Sequence, residues 1–235
     1  RYIKSEETTT NSFHLVSDLS DNLISEVYYS TKETVTDQIS PAGQNMPSFT
    51  VDDAFGYEFV AGPDIYRMAN DLDTETTFFK AKLTYYLNNH KITGGYEKTV
   101  YDTYNVFIVE EDGSWEFDDL ASLQAGTFSS YSASGSKSGR VEDAAADFEF
   151  DLQSFYIMDE YTMSDTLTLT FGIRHDKYSG DDTPTNSAFT SAYGFKNGGI
   201  KGTDLTTYRF GADIILDDLS DLNVTFGTYS AKLPN

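Results

Sequence analysis

Asp165-Thr166-Leu167-Thr168-Leu169-Thr170-Phe171-Gly172-Ile173-Arg174 alternates apolar and polar residues without a break. On a strand, successive side chains point to opposite faces. Leu167, Leu169, Phe171 and Ile173 therefore share one side, with Thr168, Thr170, Gly172 and Arg174 on the other. Working outward, the same unit recurs four times: an alternating run, a short polar turn, and a second alternating run. Long acidic stretches rich in Gly, Ser and Thr separate the repeats. Short turns on one edge and long loops on the other, around an apolar face and a small-polar inner face, spell a transmembrane β-barrel.

The first hairpin sets Phe13, Leu15 and Leu19 on one face, turns at 20–22, and returns through Leu23, Val27 and Tyr29. The second alternates Phe79, Ala81, Leu83, Tyr85 and Leu87 with Lys80, Lys82, Thr84 and Tyr86. It turns at Asn88-Asn89 and returns through Ile92, Gly94 and Tyr96. In the third, Phe148, Phe150, Leu152, Tyr156 and Met158 form the apolar set, and the chain turns near 163–165 into the opening stretch. The fourth sets Tyr208, Phe210, Ala212, Ile214 and Leu216 against Arg209, Gly211 and Asp213, and returns through Leu222, Val224 and Phe226. Eight strands of roughly ten to fifteen residues exceed the nine to eleven that a tilted membrane strand needs. Between them, 34–72 reads as one external loop, with Pro41, Gly43 and Pro47 interrupting regular structure. In 109–143, Asp118-Asp119 before a short run ending at Gly126 predicts a capped helix of one to two turns. Ser129–Gly139 is expected to be mobile, and a further excursion covers 179–204.

Composition narrows the classes. Aromatics reach 15%, with 17 Tyr and 17 Phe, which argues against disorder. Hydrophobic residues total only 39%, which suits strands that are apolar on one face. A formal net charge of −22 argues against nucleic acid as a partner, because no Lys/Arg surplus exists to neutralise phosphates. Cysteine is absent, so no disulfide or thiol chemistry is available. No run of about 18 apolar residues could form a membrane helix. The chain starts at Arg1, which we read as loss of a leader or as an internal piece. With short turns on the periplasmic side, both ends would lie outside. A complete outer-membrane barrel ends on the periplasmic side, so an excerpt is expected.

No cofactor or catalytic centre is expected. His14, His90 and His175 fall on separate elements, His90 serving turn geometry, and no Gly-x-Ser-x-Gly elbow accompanies them. Asn70-Asp71-Leu72-Asp73-Thr74-Glu75 and Ser179-Gly180-Asp181-Asp182 offer oxygen ligands, but neither has the twelve-residue calcium loop. Each reads first as a polar turn, with weak calcium binding as the alternative. Arg174 and Arg209 lie on the inward face, where pairing with a lumen carboxylate such as Asp213 or Asp147 competes with contact to a plug or ligand. Trp115 and Tyr131, on long loops, are candidate ligand contacts.

Several stretches resemble TonB-dependent outer-membrane receptors of the Oar-like branch. They are Arg67-Met68-Ala69-Asn70-Asp71-Leu72, Asn89-His90-Lys91-Ile92-Thr93-Gly94-Gly95-Tyr96-Glu97, Asn105-Val106-Phe107, Asp151 to Glu160, Leu167 to Arg174, and Gly227 to Pro234. The likeness runs from about Phe13 onward. It implies part of a barrel of about 22 strands that encloses a plug and imports a bound ligand with energy from an inner-membrane complex. The plug, the partner-binding box and the terminal aromatic strand do not occur in these residues. The reading is an antiparallel up-and-down β-barrel segment over 1–235, placed in the outer membrane, with siderophore, glycan and peptide all open as ligands. A soluble secreted all-β binding module and a stand-alone small barrel remain the alternatives, since period-2 patterning serves each of them.

Overall fold

A computed structural model describes residues 2–39, 46–52, 56–63, 69–108, 112–133, 140, 144–180 and 203–228. In chain order its elements are β1 (Ile3–Ser20), β2 (Leu23–Ile39), β3 (Ser48–Asp52), β4 (Glu58–Ala61), β5 (Ala69–Leu87), β6 (His90–Ile108) and β7 (Ser114–Phe117). They continue with α1 (Leu120–Ala125), β8 (Ser130–Ser132), β9 (Ala146–Ser164), β10 (Leu167–Ser179), β11 (Thr203–Asp217) and β12 (Ser220–Gly227).

Eight of these strands form one sheet in the order β1-β2-β5-β6-β9-β10-β11-β12, each antiparallel to its neighbours. The four hairpins of the sequence are therefore paired in sequence order. Their tight turns share one edge and are tied to the next hairpin. The Asn22 carbonyl accepts from the Tyr86 amide, Asn89 from Thr162, and Thr166 from Ile215, at 2.8, 2.8 and 2.9 Å. Asn88 takes φ 53, a left-handed conformation that its short polar side chain tolerates in a tight turn. Turn geometry at this end thus belongs to Asn88, not to His90, which opens β6.

The strands are longer than the sequence pattern suggested. β5, β6 and β9 each hold 19 residues, and β1 begins at Ile3, well before Phe13. At about 3.3 Å per residue and a tilt near 40°, such a strand rises roughly 45–50 Å. An apolar band of a barrel is only about 25 Å tall, so nearly half of each long strand stands above it. The stretch 70–75, expected as a turn, is the upper part of β5. Asp71, Asp73 and Glu75 alternate with Asn70, Leu72 and Thr74 along it.

Register fixes the faces. Leu83 lies opposite Gly94, Leu169 opposite Tyr161 and Ala212, Phe171 opposite Phe210, and Ile214 opposite Leu222. Arg174 instead falls in line with Tyr156, and Thr168 with Asp213. Leu83, Tyr85, Leu167, Leu169, Phe171, Phe210, Ile214 and Val224 share the outward face, with Thr168, Arg174, Arg209 and Thr225 inward. Phe171 and Phe210 meet edge to face at 5.2 Å, a cross-strand pair typical of sheet stabilisation. Outward side chains remain exposed, Leu83 at 51% and Phe226 at 76%, which suits a lipid-facing surface. At the upper margin of the band lie Tyr29, Phe79, Tyr96 and Phe155, with Tyr96 4.8 Å from Phe155.

One strand is read with the wrong face from sequence. β9 carries apolar residues at both parities, and Phe155, Ile157 and Tyr161 face outward. Phe148, Phe150, Leu152, Tyr156 and Met158 face the lumen instead, because Tyr156 pairs with Gly95 and Arg174. The inner face is therefore not uniformly small and polar, and Tyr101 stacks on Phe150 there at 4.7 Å.

β1 and β12 are the two edges and do not pair with each other, so the sheet is open. A closed eight-stranded barrel is thereby excluded for this wall. Two of the long connections carry strands of their own. β3 and β4, from the β2–β5 connection, join β7 and β8, from the β6–β9 connection, in a second sheet ordered β4-β3-β7-β8. Its β3–β7 pair is parallel, the one departure from antiparallel pairing among the described strands. Ser130–Ser132, within the stretch expected to be mobile, is a strand of this sheet, while 134–139 lie outside the described residues. α1 follows the predicted signals: Asp119 accepts from the Ser122 amide at 2.6 Å, and Gly126 closes the helix at φ 67.

If the apolar face meets lipid, Leu169→Arg should cost about 2–4 kcal/mol in a bilayer, and Thr170→Arg much less. Denaturant titration of the protein in liposomes measures both. Equal costs at the two neighbouring positions would refute the face assignment.

Candidate functional site

Two places gather chemistry: the inward face of the large sheet, and the small sheet built from the long loops. On the inward face, Glu26 of β2 accepts from Lys80 Nζ at 2.8 Å and also pairs with Lys82, both on β5. Lys80 lies opposite Glu97 of β6 in register. Glu97 accepts from Arg174 Nη1 of β10 at 2.9 Å, and Asp176 accepts from Arg174 Nε at 2.8 Å. Ser154 of β9 completes the set, donating to Asp176 at 2.5 Å and accepting from Arg174 Nη2 at 2.8 Å. The network thus crosses five adjacent strands with three cations and three carboxylates. Its charges cancel, so it holds strand to strand instead of presenting a net field to the lumen.

Tyr156 lies beneath this network, with the Arg174 guanidinium 5.7 Å above its ring centre. The ring occupies the space left by the missing side chain of Gly95, where a Cβ would come within 2.5 Å of the phenol carbon. Glycine is required here by close approach, an aromatic covering a neighbouring glycine on the same face.

Arg174 and Arg209, paired in the sequence reading, part company in the structure. Arg174 is fully engaged, but with Glu97 and Asp176. Neither Asp213 nor Asp147 is its partner: Asp213 accepts from Asn223, and Asp147 lies on the outward face opposite Tyr104. Arg209 stands exposed between Gly172 and Gly227 in register, with no hydrogen bond or ion pair to any described residue. A Cβ on Gly227 would meet the Tyr208 carbonyl at 2.7 Å, so the floor beside Arg209 stays bare.

Above the apolar band the outward face becomes acidic. Glu33, Glu75, Asp102 and Glu149 are directly opposed across β2, β5, β6 and β9. A recess of about 270 Å³ there is lined by Glu33, Asp73, Glu75, Asp102, Tyr104 and Asp147. Like charges in direct opposition are destabilising, and their exposure to solvent limits the cost. No group of three or more His, Asp or Glu converges as metal ligands among the described residues. Asp181 and Asp182 lie outside them.

The small sheet brings together the two aromatics singled out from sequence. Trp115 of β7 is directly opposite Tyr131 of β8, with ring centres 4.4 Å apart. Phe128 meets Trp115 edge-on at 4.6 Å, and Phe49 pairs with Trp115 from the other side. Tyr131 is fixed by Gly113, whose backbone at φ 88 leaves room for the phenol. Val51 and Phe117 are buried, and Phe117 lies 6.4 Å from Phe49. Asp119 at the N-cap of α1 is held below the usual carboxylate range by the Ser122 amide and hydroxyl, and is therefore ionised.

The histidines stay apart. His14 faces the lumen, edge-on to Tyr28 and 3.7 Å from Glu26. His90 faces outward near the turns, bonded to Asp159 at 2.8 Å and stacked on Tyr161 at 4.5 Å. His175 faces outward above the apolar band and bonds Thr206 at 2.9 Å.

An open antiparallel wall with lipid outside and charge inside defines an outer-membrane β-barrel. A model of the outer membrane beta barrel domain matches residues 6–206, and the chain belongs to that family. Its place is the outer membrane, which removes the soluble secreted module from consideration. Among solved structures, the ferric-catecholate import receptor Fiu from E. coli K12, in its open form, is similar at a TM-score of 0.54 and 13% identity. The likeness covers 95% of this chain and 35% of that one, so the chain spans about a third of the receptor's length. No curated protein sequence matches.

Gly95→Ala should cost about 1–3 kcal/mol through overpacking against Tyr156. Combined with Tyr156→Leu, most of that cost should vanish, a coupling that a double-mutant cycle reads directly. Additive losses would mean that the ring does not rest on Gly95. On the outer wall, Glu75→Gln should raise stability by about 0.2–1 kcal/mol by relieving the opposed carboxylates. A denaturation midpoint that falls instead would contradict the charge row.

Proposed function

We propose that this chain is part of the barrel wall of a TonB-dependent, Oar-like receptor that imports a ligand across the outer membrane. The observation that carries the reading is the open eight-stranded wall, similar along nearly its whole length to a third of an import receptor. A wall whose first and last strands do not pair with each other suits a wider barrel, where neighbouring strands satisfy both edges. Its lumen would hold the receptor's own plug. Arg209, on its glycine floor and with no ion pair to a described residue, is an inward charge for a plug carboxylate or a passing ligand. The role is non-enzymatic: binding by the outer loops, then release inward when an inner-membrane energising complex pulls on the plug.

Energised import separates this function from passive diffusion through a porin. Cells lacking the gene should lose uptake of one ligand class among radiolabelled ferric siderophore, fluorescent oligosaccharide and fluorescent oligopeptide. A protonophore should abolish the same uptake in wild-type cells. Uptake of all three that is unchanged by the deletion, or a deletion-sensitive uptake indifferent to the protonophore, would overturn the receptor reading.

A further inference from the structure

The small sheet joins an aromatic face to charge of a single sign. Directly opposed residues share a face, so Phe49, Trp115 and Tyr131 line one side, with Phe128 against Trp115. This face is open in part: Tyr131 is 49% exposed, Phe128 48%, and Phe59 on the neighbouring β4 64%, while Trp115 is half-buried and Val51 and Phe117 on the same face are buried. Aromatic surface left open on a loop sheet, away from the lipid band, is a feature that calls for an occupant.

Charge selects the occupant. Residues 48–52, 56–61 and 112–132 carry six carboxylates and no Lys or Arg; register sets Asp52, Glu58 and Glu116 on the opposite face of the sheet, and Asp112, Asp118 and Asp119 flank β7 at its two ends. A phosphate or an iron–catecholate complex, both anionic, would be repelled. The carboxylates do not converge on a point, so a bare metal ion lacks its ligand shell. A side chain with an aliphatic stem and a cationic head matches both features. The stem covers the rings, the head lies over a π face, and the carboxylates that flank β7 complement its charge. Tryptophan gives the strongest such face.

We infer that the aromatic face formed by Trp115, Tyr131 and Phe128 is a docking surface for a cationic peptide segment, in which Lys or Arg side chains lie over the rings. The inference builds on the receptor reading and names its ligand class. The two long connections contribute jointly, since β3 and β4 come from one and β7 and β8 from the other. Docking at this surface would therefore be sensed by two barrel loops at once.

The test is fluorescence anisotropy of a labelled tetra-arginine peptide with the intact outer-membrane protein in detergent. At about 0.15 M salt, diffuse attraction is screened beyond roughly 8 Å. Wild-type protein should bind, and Trp115→Ala should weaken binding about tenfold, the loss of a partly desolvated cation–π contact. Asp118→Lys, at an exposed position, should weaken it as well and serves where Trp115→Ala disturbs folding of the loops. Glu33→Gln with Glu75→Gln, on the wall below, should leave binding unchanged. The proposal is overturned by absence of wild-type binding, by equal weakening in the wall variant, or by displacement of the peptide by neutral maltoheptaose. The first means no site, the second diffuse charge, and the third a sugar surface. Binding is read without import, so loss of docking with energised uptake intact rejects this proposal and spares the receptor reading.

Discussion

In lipid, a backbone amide or carbonyl without a partner has no water to turn to, and each such group costs several kcal/mol. This constraint organises the whole chain. It demands long, regular, antiparallel ladders in place of short strands with irregular connections, and the eight wall strands meet it by pairing in sequence order, every second connection a tight turn. Among the described strands of the large sheet, only β1 and β12 leave a row of backbone groups unpaired. The side chains can then be divided by parity, apolar outward and polar inward, with no demand for a packed core. Ser154 is the fully buried side chain of the wall among the described residues, and it sits in the ionic network: a one-layer wall has an inside surface and an outside surface but little interior.

Between the two faces the chemistry differs in kind. The outward face depends on apolar area and aromatic edges, which lipid accepts without orientation. The inward face depends on paired charge. Glu26, Lys80, Lys82, Glu97, Arg174 and Asp176 neutralise one another across the strands, so each charge has a partner at membrane depth. Removing one member would strand another, which is why such a network behaves as a unit. Arg209 escapes that logic. It lies between Gly172 and Gly227 and has no partner among the described residues.

Above the lipid the strands continue into water, and the outward face becomes acidic where apolar residues would no longer be buried. The loops there are not simple tethers. Two of them exchange strands, β3 with β7, in a parallel pair that no single loop could make by itself. That exchange sets Trp115 against Tyr131 and gives the extracellular side a shaped surface in place of two independent flexible arms.

Much of the wall was legible in the amino-acid order. The alternation at Leu167–Ile173 and its three counterparts determined the strands, their turns, the lipid-facing set and the helix capped by Asp119, because each rests on local rules of period and cap. β9 resisted, since apolar residues fall at both parities from Phe148 to Met158, and parity alone cannot say which face is inside. Only pairing to Gly95 and Arg174 decided it. Pairing likewise chose Glu97 and Asp176, not Asp147 or Asp213, as the partners of Arg174. It also showed that 70–75 is strand, and it brought Trp115 and Tyr131 together. These outcomes depend on register between segments tens of residues apart. A one-residue slip would exchange the faces, and no local pattern encodes that choice.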